Sequence, residues 1–380
     1  MSSKLNHLSQ EQIDELIERY YANEKIADLI KSFNISIQPS QLVKEFPPRV
    51  DDKQCVYCNI NFVSHYQSRT YGDSLSQPKC PNCGHSDSGA CHCLNCRKYA
   101  VLIKQQKLEN KREYLAAHFR NQEVPSVEFS DLSFEEQVYL GAFLRAGMSE
   151  DFNYINSIDS FFAPLAPTDD MQKEVLTLLS KNKACIVISP DSDAECFPYL
   201  EVGGDDFSYY QHKVKWKLNV THEGLTKVPL VEKIINPLEE YNSSELLAMW
   251  KKIALQECFD YLLYEIKNIL GVDQPIGEKT NAVFSDILNH FSVSEIYGIV
   301  YKSTTNALRF KVEQGTYAKH AANSIVGSAH SYADKAVAGS WVLPKFSRKH
   351  VQQSAISKFF FERILKVGSD GFYKKPEILE

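Results

Sequence analysis

The chain has 380 residues, 43% apolar, 12% aromatic and 24% charged, which excludes a disordered, collagenous or fibrous protein and predicts two or three domains at about 150 residues each. Its net charge of −6 divides as −1 over residues 1–50, +4 over 51–121, −16 over 122–300 and +7 over 301–380. An acidic centre between basic flanks disfavours a protein that coats nucleic acid over its whole surface, and it allows an anionic partner at either flank.

No run approaches the roughly 20 apolar residues of a membrane helix, and the opening Met-Ser-Ser-Lys leads into a polar, periodic segment. The expectation is a cytoplasmic protein without a membrane partner. Seven of the ten cysteines lie between Cys55 and Cys96. A reduced compartment makes them thiolates for metal rather than a disulfide framework.

Three short helices are predicted in the first 46 residues. Ser9 with Gln12 is a capping box, followed by Ile13, Leu16, Ile17 and Tyr20 at helical spacing. Ile26, Ala27, Ile30 and Phe33 mark a second helix that stops at Asn34, and Pro39 opens a third through Leu42 and Val43 to Phe46. Helix, helix, turn and helix over Ser9 to Phe46 resembles a helix-turn-helix of the homeodomain-like or recombinase-like kind. The resemblance implies a third helix that presents Gln38, Ser40, Gln41 and Lys44, with Glu45 beside them, to base edges. A small dimerisation or docking bundle has the same pattern.

Cys55-Val-Tyr-Cys58 and Cys80-Pro-Asn-Cys83-Gly-His85 are two CxxC turns separated by 21 residues, a spacing that resembles a zinc ribbon; Cys91-His92-Cys93-Leu-Asn-Cys96 follows. A tight CxxC turn aims two sulfurs at one point, and two such turns complete a tetrahedron. Cys55, Cys58, Cys80, Cys83, Cys91, Cys93 and Cys96 with one histidine make eight ligands, enough for one or two structural zinc ions. His85 is the first choice, with His92 or His65 as substitutes. Spacing leaves open whether the turns pair in order or cross-brace, and the same thiolates suit an iron–sulfur cluster. A catalytic zinc is the remaining alternative, disfavoured because four protein ligands hold no open position.

A basic helical run then carries Arg97, Lys98, Lys104, Lys107, Lys111, Arg112 and Arg120. Behind a metal module it is the best candidate for phosphate contacts, with a solvated connecting helix as the bland reading. Residues 121–130, with Pro125, read as a linker.

Beyond it, Ser133 with Glu136 caps a helix to about Ala146, and Thr168 opens another to Ser180. Strands are expected at Ala184 to Ser189 and at Tyr210 to Val220; helices followed by a strand pair suggest a winged helix. The carboxylates of Asp191, Asp193 and Glu195 lack the glycine and distal glutamate of an EF-hand loop and read as a solvated turn. Asn242 or Ser243 caps a long helix to Leu270, and further helices are expected at about 279–291, 294–312, 317–338 and 352–367.

The expected fold is mainly α with small β elements. Its parts are a helix-turn-helix (1–50), a zinc-binding module with a basic helix (51–121), an acidic mixed α/β and possible winged-helix domain (130–235) and a helical domain (240–380). This order resembles regulators and accessory proteins of bacterial mobile elements and defence loci, with the likeness confined to the modules. It implies a zinc-containing protein that binds nucleic acid, DNA ahead of RNA, and recruits a protein partner or a second copy. The alternatives are a protein–protein adaptor and a metal-independent nuclease using His320, His350 and Arg348 as base and phosphorane-stabilising cation. Neither a paired-carboxylate metal site nor a P-loop, GxSxG or HExxH motif is present.

Overall fold

The Ser9 hydroxyl accepts a hydrogen bond from the Gln12 amide while the Gln12 side-chain oxygen accepts one from the Ser9 amide, and this box starts α1 (Gln10–Tyr21). The computed structural model describes residues 4–71, 75–238 and 240–378. It divides into two compact units, Met1–Asn110 and Lys111–Glu380.

In the first unit α1 is followed by α2 (Ile26–Ser32), which Asn34 ends in the left-handed region at φ 49°. The third predicted helix is short: a 3₁₀ turn at Pro39–Gln41 leads into α3 (Leu42–Glu45), and Pro47 and Pro48 follow at once. Leu16, Tyr20, Leu29, Phe33, Leu42 and Phe46 close over one another as the core of this trio. An antiparallel pair, β1 (Arg49–Gln54) and β2 (Asn61–Ser64), comes next, with Val63 also bridging to Lys79. Tyr66 packs against the helical core, and the Arg69 guanidinium donates to the carbonyls of Tyr20 at 2.9 Å and Glu24 at 2.8 Å. The helical trio and the cysteine-bearing hairpin therefore form a continuous structure. The helix α4 (Leu94–Asn121) carries the chain across the division.

The second unit is mainly helical. Short β3 (Val127–Glu128) precedes α5 (Phe134–Gly147), capped by the Ser133/Glu136 box and buried along most of its length. Then come α6 (Asp169–Thr177), β4 (Ile186–Ile188), β5 (Trp216–Leu218), β6 (Val220–Thr221) and α7 (Lys227–Ile235). β3 pairs with β6 in parallel, and β4 pairs with β5 antiparallel with Ile188 opposite Trp216. The second strand is shorter than predicted because the amides of Lys213 and Val214 both turn back to the Tyr210 carbonyl, so extended structure begins only at Trp216.

Four long helices follow: α8 (Ser243–Glu265), α9 (Glu278–Leu288), α10 (Val293–Gln314) and α11 (Ala318–Val337). The chain closes with α12 (Ala355–Phe359) and α13 (Asp370–Tyr373). α6, α8 and α12 each run into a π-helical turn, at Leu178–Asn182, Ile266–Leu270 and Phe360–Ile364. The predicted helix at 352–367 therefore starts later, at a Ser354 cap, and widens before it ends. No described helix is long and apolar enough to cross a membrane.

Candidate metal centre

The two CxxC turns have the same backbone wiring. The Cys55 amide donates to the Ile60 carbonyl at 2.9 Å, and the Cys80 amide to the His85 carbonyl at 2.7 Å. The amides of Asn59 and Gly84 each return to the cysteine four residues earlier, both at 2.9 Å. That turn needs a left-handed residue after the second cysteine, which Asn59 supplies at φ 54° and Gly84 at φ 70°. Cys55, Phe62 and Cys80 form the small buried core between the turns, with Cys58 and Cys83 packed against it.

Two sets of donors result: Cys55, Cys58, Cys80 and Cys83, and His85, Cys91, Cys93 and Cys96, each with all its ligand atoms within 4.8 Å of one another. The CxxC turns thus pair in sequence order rather than cross-bracing. His92 and His65 lie exposed outside both sets, and His85 is the histidine that joins the cysteines. It leaves the second turn two residues after Cys83, which puts the sets side by side along the chain. The Tyr57 ring meets the His85 ring edge-on at 5.0 Å, Phe62 lies 5.9 Å from it, and the Tyr57 hydroxyl is 3.6 Å from the Cys96 sulfur.

Cys93 has a second role at the start of α4. Its carbonyl accepts from the Arg97 amide at 3.0 Å and its sulfur accepts from the Cys96 amide at 3.4 Å, so it occupies the N-cap position. Thiolate charge there also meets the positive end of the helix dipole.

The donors fit a tetrahedral ion. With metal–sulfur and metal–nitrogen bonds of about 2.3 and 2.05 Å, sulfurs should lie about 3.8 Å apart and sulfur and nitrogen about 3.5 Å apart. Cys55 and Cys83 sulfurs are 3.6 Å apart, while His85 Nδ1 is 3.2 Å from the Cys96 sulfur and 3.9 Å from that of Cys93. Amide donors within the turns favour thiolate: the Cys83 amide holds Cys80 down to about 7, and the Ser86 amide holds Cys91 down to about 5. Burial pushes Cys83 up to about 12. Four protein donors in each set leave no position for substrate. Tyr57, Asn82 and Ser86, which touch the sulfurs of Cys96, Cys58 and Cys91, were not singled out by sequence; their position between or beside ligands is the signal that would have found them.

The remaining sequence candidates fall elsewhere. Gln38, Ser40, Gln41 and Lys44 are exposed around α3. Arg97, Lys98, Lys104 and Lys107 are exposed along the first part of α4 and form no ion pair among the described residues. Lys111 instead donates to the Phe197 carbonyl, and Arg112 lies 3.8 Å from Asp193. His320 stacks on Phe310, His350 stacks on Tyr264, and Arg348 is held by Glu257. No hydrogen bond or ring contact among the described residues joins these three.

No protein-family model, curated protein or solved structure matches the chain. What is established is a mainly helical chain whose first unit carries two four-donor sets, one of four cysteines and one of His85 with three cysteines, that could hold metal ions.

Proposed function

We propose that the Met1–Asn110 unit is a zinc-held nucleic-acid-binding module, DNA ahead of RNA, and that the Lys111–Glu380 unit recruits a protein partner or a second copy. Thiolate-rich closed donor sets favour zinc over harder cations, and the ions act as structural staples. The observation that carries the reading is the run Arg97, Lys98, Lys104 and Lys107, exposed on the helix that the second donor set caps, without an ion pair among the described residues. Uncompensated cations clustered along one helix suit phosphates. The exposed side chains of Gln38, Gln41 and Lys44 on a helix-turn-helix-like trio supply base-edge donors and acceptors.

The same stretch of α4 exposes Tyr99, Val101, Leu102 and Ile103. That interleaving favours a protein adaptor as the second reading.

The test measures zinc per chain and the affinity for random-sequence duplex DNA and for RNA over a salt series. Wild type is expected to hold two zincs, and K98E/K104E/K107E to make the negative slope of log affinity against log salt shallower by about 2.7 on duplex DNA. An unchanged slope, or no retention of either nucleic acid, overturns the reading in favour of the adaptor.

A further inference from the structure

The second unit contains a cavity of about 460 Å³ between the end of α8, the middle of α10, the segment 345–350 and Tyr373, within the roughly 300–1,000 Å³ range of small-ligand sites. Its walls are held in place. The Ser294 hydroxyl donates to the Phe346 carbonyl at 2.7 Å and the Phe346 amide to the Ser294 carbonyl at 3.1 Å. Gly298 lets the segment close on α10, since a Cβ there would lie 3.0 Å from the Pro344 carbonyl oxygen. Arg348 ties the far end of the segment to Glu257. Tyr261 is stacked on Tyr297 with ring centroids 3.9 Å apart, and Tyr301 lies 5.7 Å from Phe346.

Into this aromatic cavity α8 delivers one carboxylate. Glu265 is only 4% exposed. Burial pushes the Glu265 carboxyl up, and the nearby Tyr261 hydroxyl and His350 oppose that shift. The Thr304 hydroxyl is 3.5 Å away, but its single proton has nearer acceptors in the Val300 and Tyr301 carbonyls, both at 3.0 Å. A carboxylate has about four lone-pair sites and no donor of its own, so the hydroxyls of Tyr261 and Thr304 leave it room to accept further hydrogen bonds. A ligand that brings donors can use those remaining lone pairs. At the rim Lys349 and His350 are exposed, and His350 lies flat against Tyr264, the planes 6° apart.

We propose that this cavity binds a guanine nucleotide, with the base among Tyr261, Tyr301 and Phe346, its adjacent N1–H and N2–H groups donating to Glu265, and its phosphate at Lys349. Flat aromatic walls suit a base face, and a base edge is read by hydrogen bonds. Guanine alone among the common bases offers two neighbouring donors to one carboxylate. Adenine and cytosine place a ring-nitrogen acceptor beside the amine, and uracil flanks its one N–H with two carbonyls. The same chemistry is available from a free nucleotide or from an unpaired guanosine in a nucleic acid.

The test is calorimetric titration of the full chain with GMP, IMP, AMP, guanosine and a single-stranded oligonucleotide holding one guanosine or one adenosine. GMP is expected to bind at least about tenfold more tightly than IMP, which lacks the 2-amino group, and than AMP. Glu265→Gln should remove that selectivity, and Lys349→Glu should weaken GMP while sparing guanosine. An oligonucleotide that binds as tightly as GMP and shares the Glu265→Gln loss assigns the source to nucleic acid; binding of GMP alone assigns it to the free nucleotide. Equal affinity for GMP, IMP and AMP, no binding of any of them, or unaltered selectivity in Glu265→Gln overturns the proposal. Should Glu265→Gln fail to fold, the wild-type ratio of GMP to IMP decides.

Discussion

Stripping the metal from the chain should fray the first part of α4 and spare the last. From Arg97 to Lys107 every side chain of the helix is exposed, so packing gives this stretch no support. From Lys111 onward Leu115 is buried, Tyr114 donates to the Gly204 carbonyl at 2.8 Å and His118 stacks on Phe207 at 3.7 Å. The packed part persists as a nucleus, and the exposed part then depends on propensity and on its N-terminal anchor. Losing the cap at Cys93 costs about 1 kcal/mol and losing the thiolate at the dipole about 0.5 kcal/mol more. Together that is about tenfold faster amide exchange. Hydrogen exchange read by mass spectrometry, before and after a strong chelator, should show this over 97–107 with little change over 111–121. Cys93→Ser keeps a capping oxygen and loses a ligand, whereas Cys93→Ala loses both. Each variant should hold one metal ion fewer, with exchange about fivefold faster in the alanine variant than in the serine variant. Unchanged protection over 97–107 in the stripped protein, or an equal loss over 111–121, would refute the assignment of Cys93 as both ligand and cap.

Gly84→Val forces a branched residue into the left-handed region at φ 70° and should cost about 1–2 kcal/mol, read as faster metal loss to a competing chelator; Asn59→Gly should be neutral, and the reverse ranking would sink the shared-turn argument. Arg348→Ala leaves the Glu257 carboxylate, 3% exposed, without its cation and should destabilise by about 3–5 kcal/mol in urea unfolding; a loss below about 1 kcal/mol contradicts a buried pair. Burial, then the carboxylates of Glu257 and Asp169, push Asp260 up to about 7. The folded state thus prefers its neutral form, so Asp260 lowers stability as pH rises from about 4 to about 7 and no further above that. Asp260→Asn should accordingly be the more stable protein at pH 8 by up to about 2 kcal/mol and show little difference at pH 4, as urea midpoints will register.

Features fixed within a few residues were legible in the sequence. The Ser9/Gln12 and Ser133/Glu136 boxes, the stop at Asn34 and the CxxC turns depend on neighbours three to five residues away, and each forms where the pattern placed it. The pairing of the turns was not legible, because Cys55 and Cys83 meet only through folding of the 21 residues between Cys58 and Cys80. Nor was the docking of Arg69 on the carbonyls of Tyr20 and Glu24, since a lone arginine in a loop carries no periodicity. The strand expected from Tyr210 was overturned by a turn whose donors sit three and four residues along, an arrangement that alternation of apolar residues does not encode. Glu265 was not legible for a related reason: on the helix it reads as one more polar position, and its burial comes from tertiary packing.

The placement of Arg348 bears on the choice between a binding protein and a nuclease. A metal-independent ribonuclease needs a cation free to meet the charge that develops on phosphorus. The guanidinium of Arg348 is engaged on both terminal nitrogens by Glu257, lies over the Phe372 ring at 4.2 Å and is 17% exposed, while Ser357 supplies Glu257 with a further hydrogen bond at 2.6 Å. Freeing it for a phosphorane would strand the carboxylate, a penalty of several kcal/mol that subtracts from any stabilisation the arginine offers a transition state. His350, two residues on, lies flat against Tyr264. Arg348 as placed is therefore not a free cation for the nuclease reading.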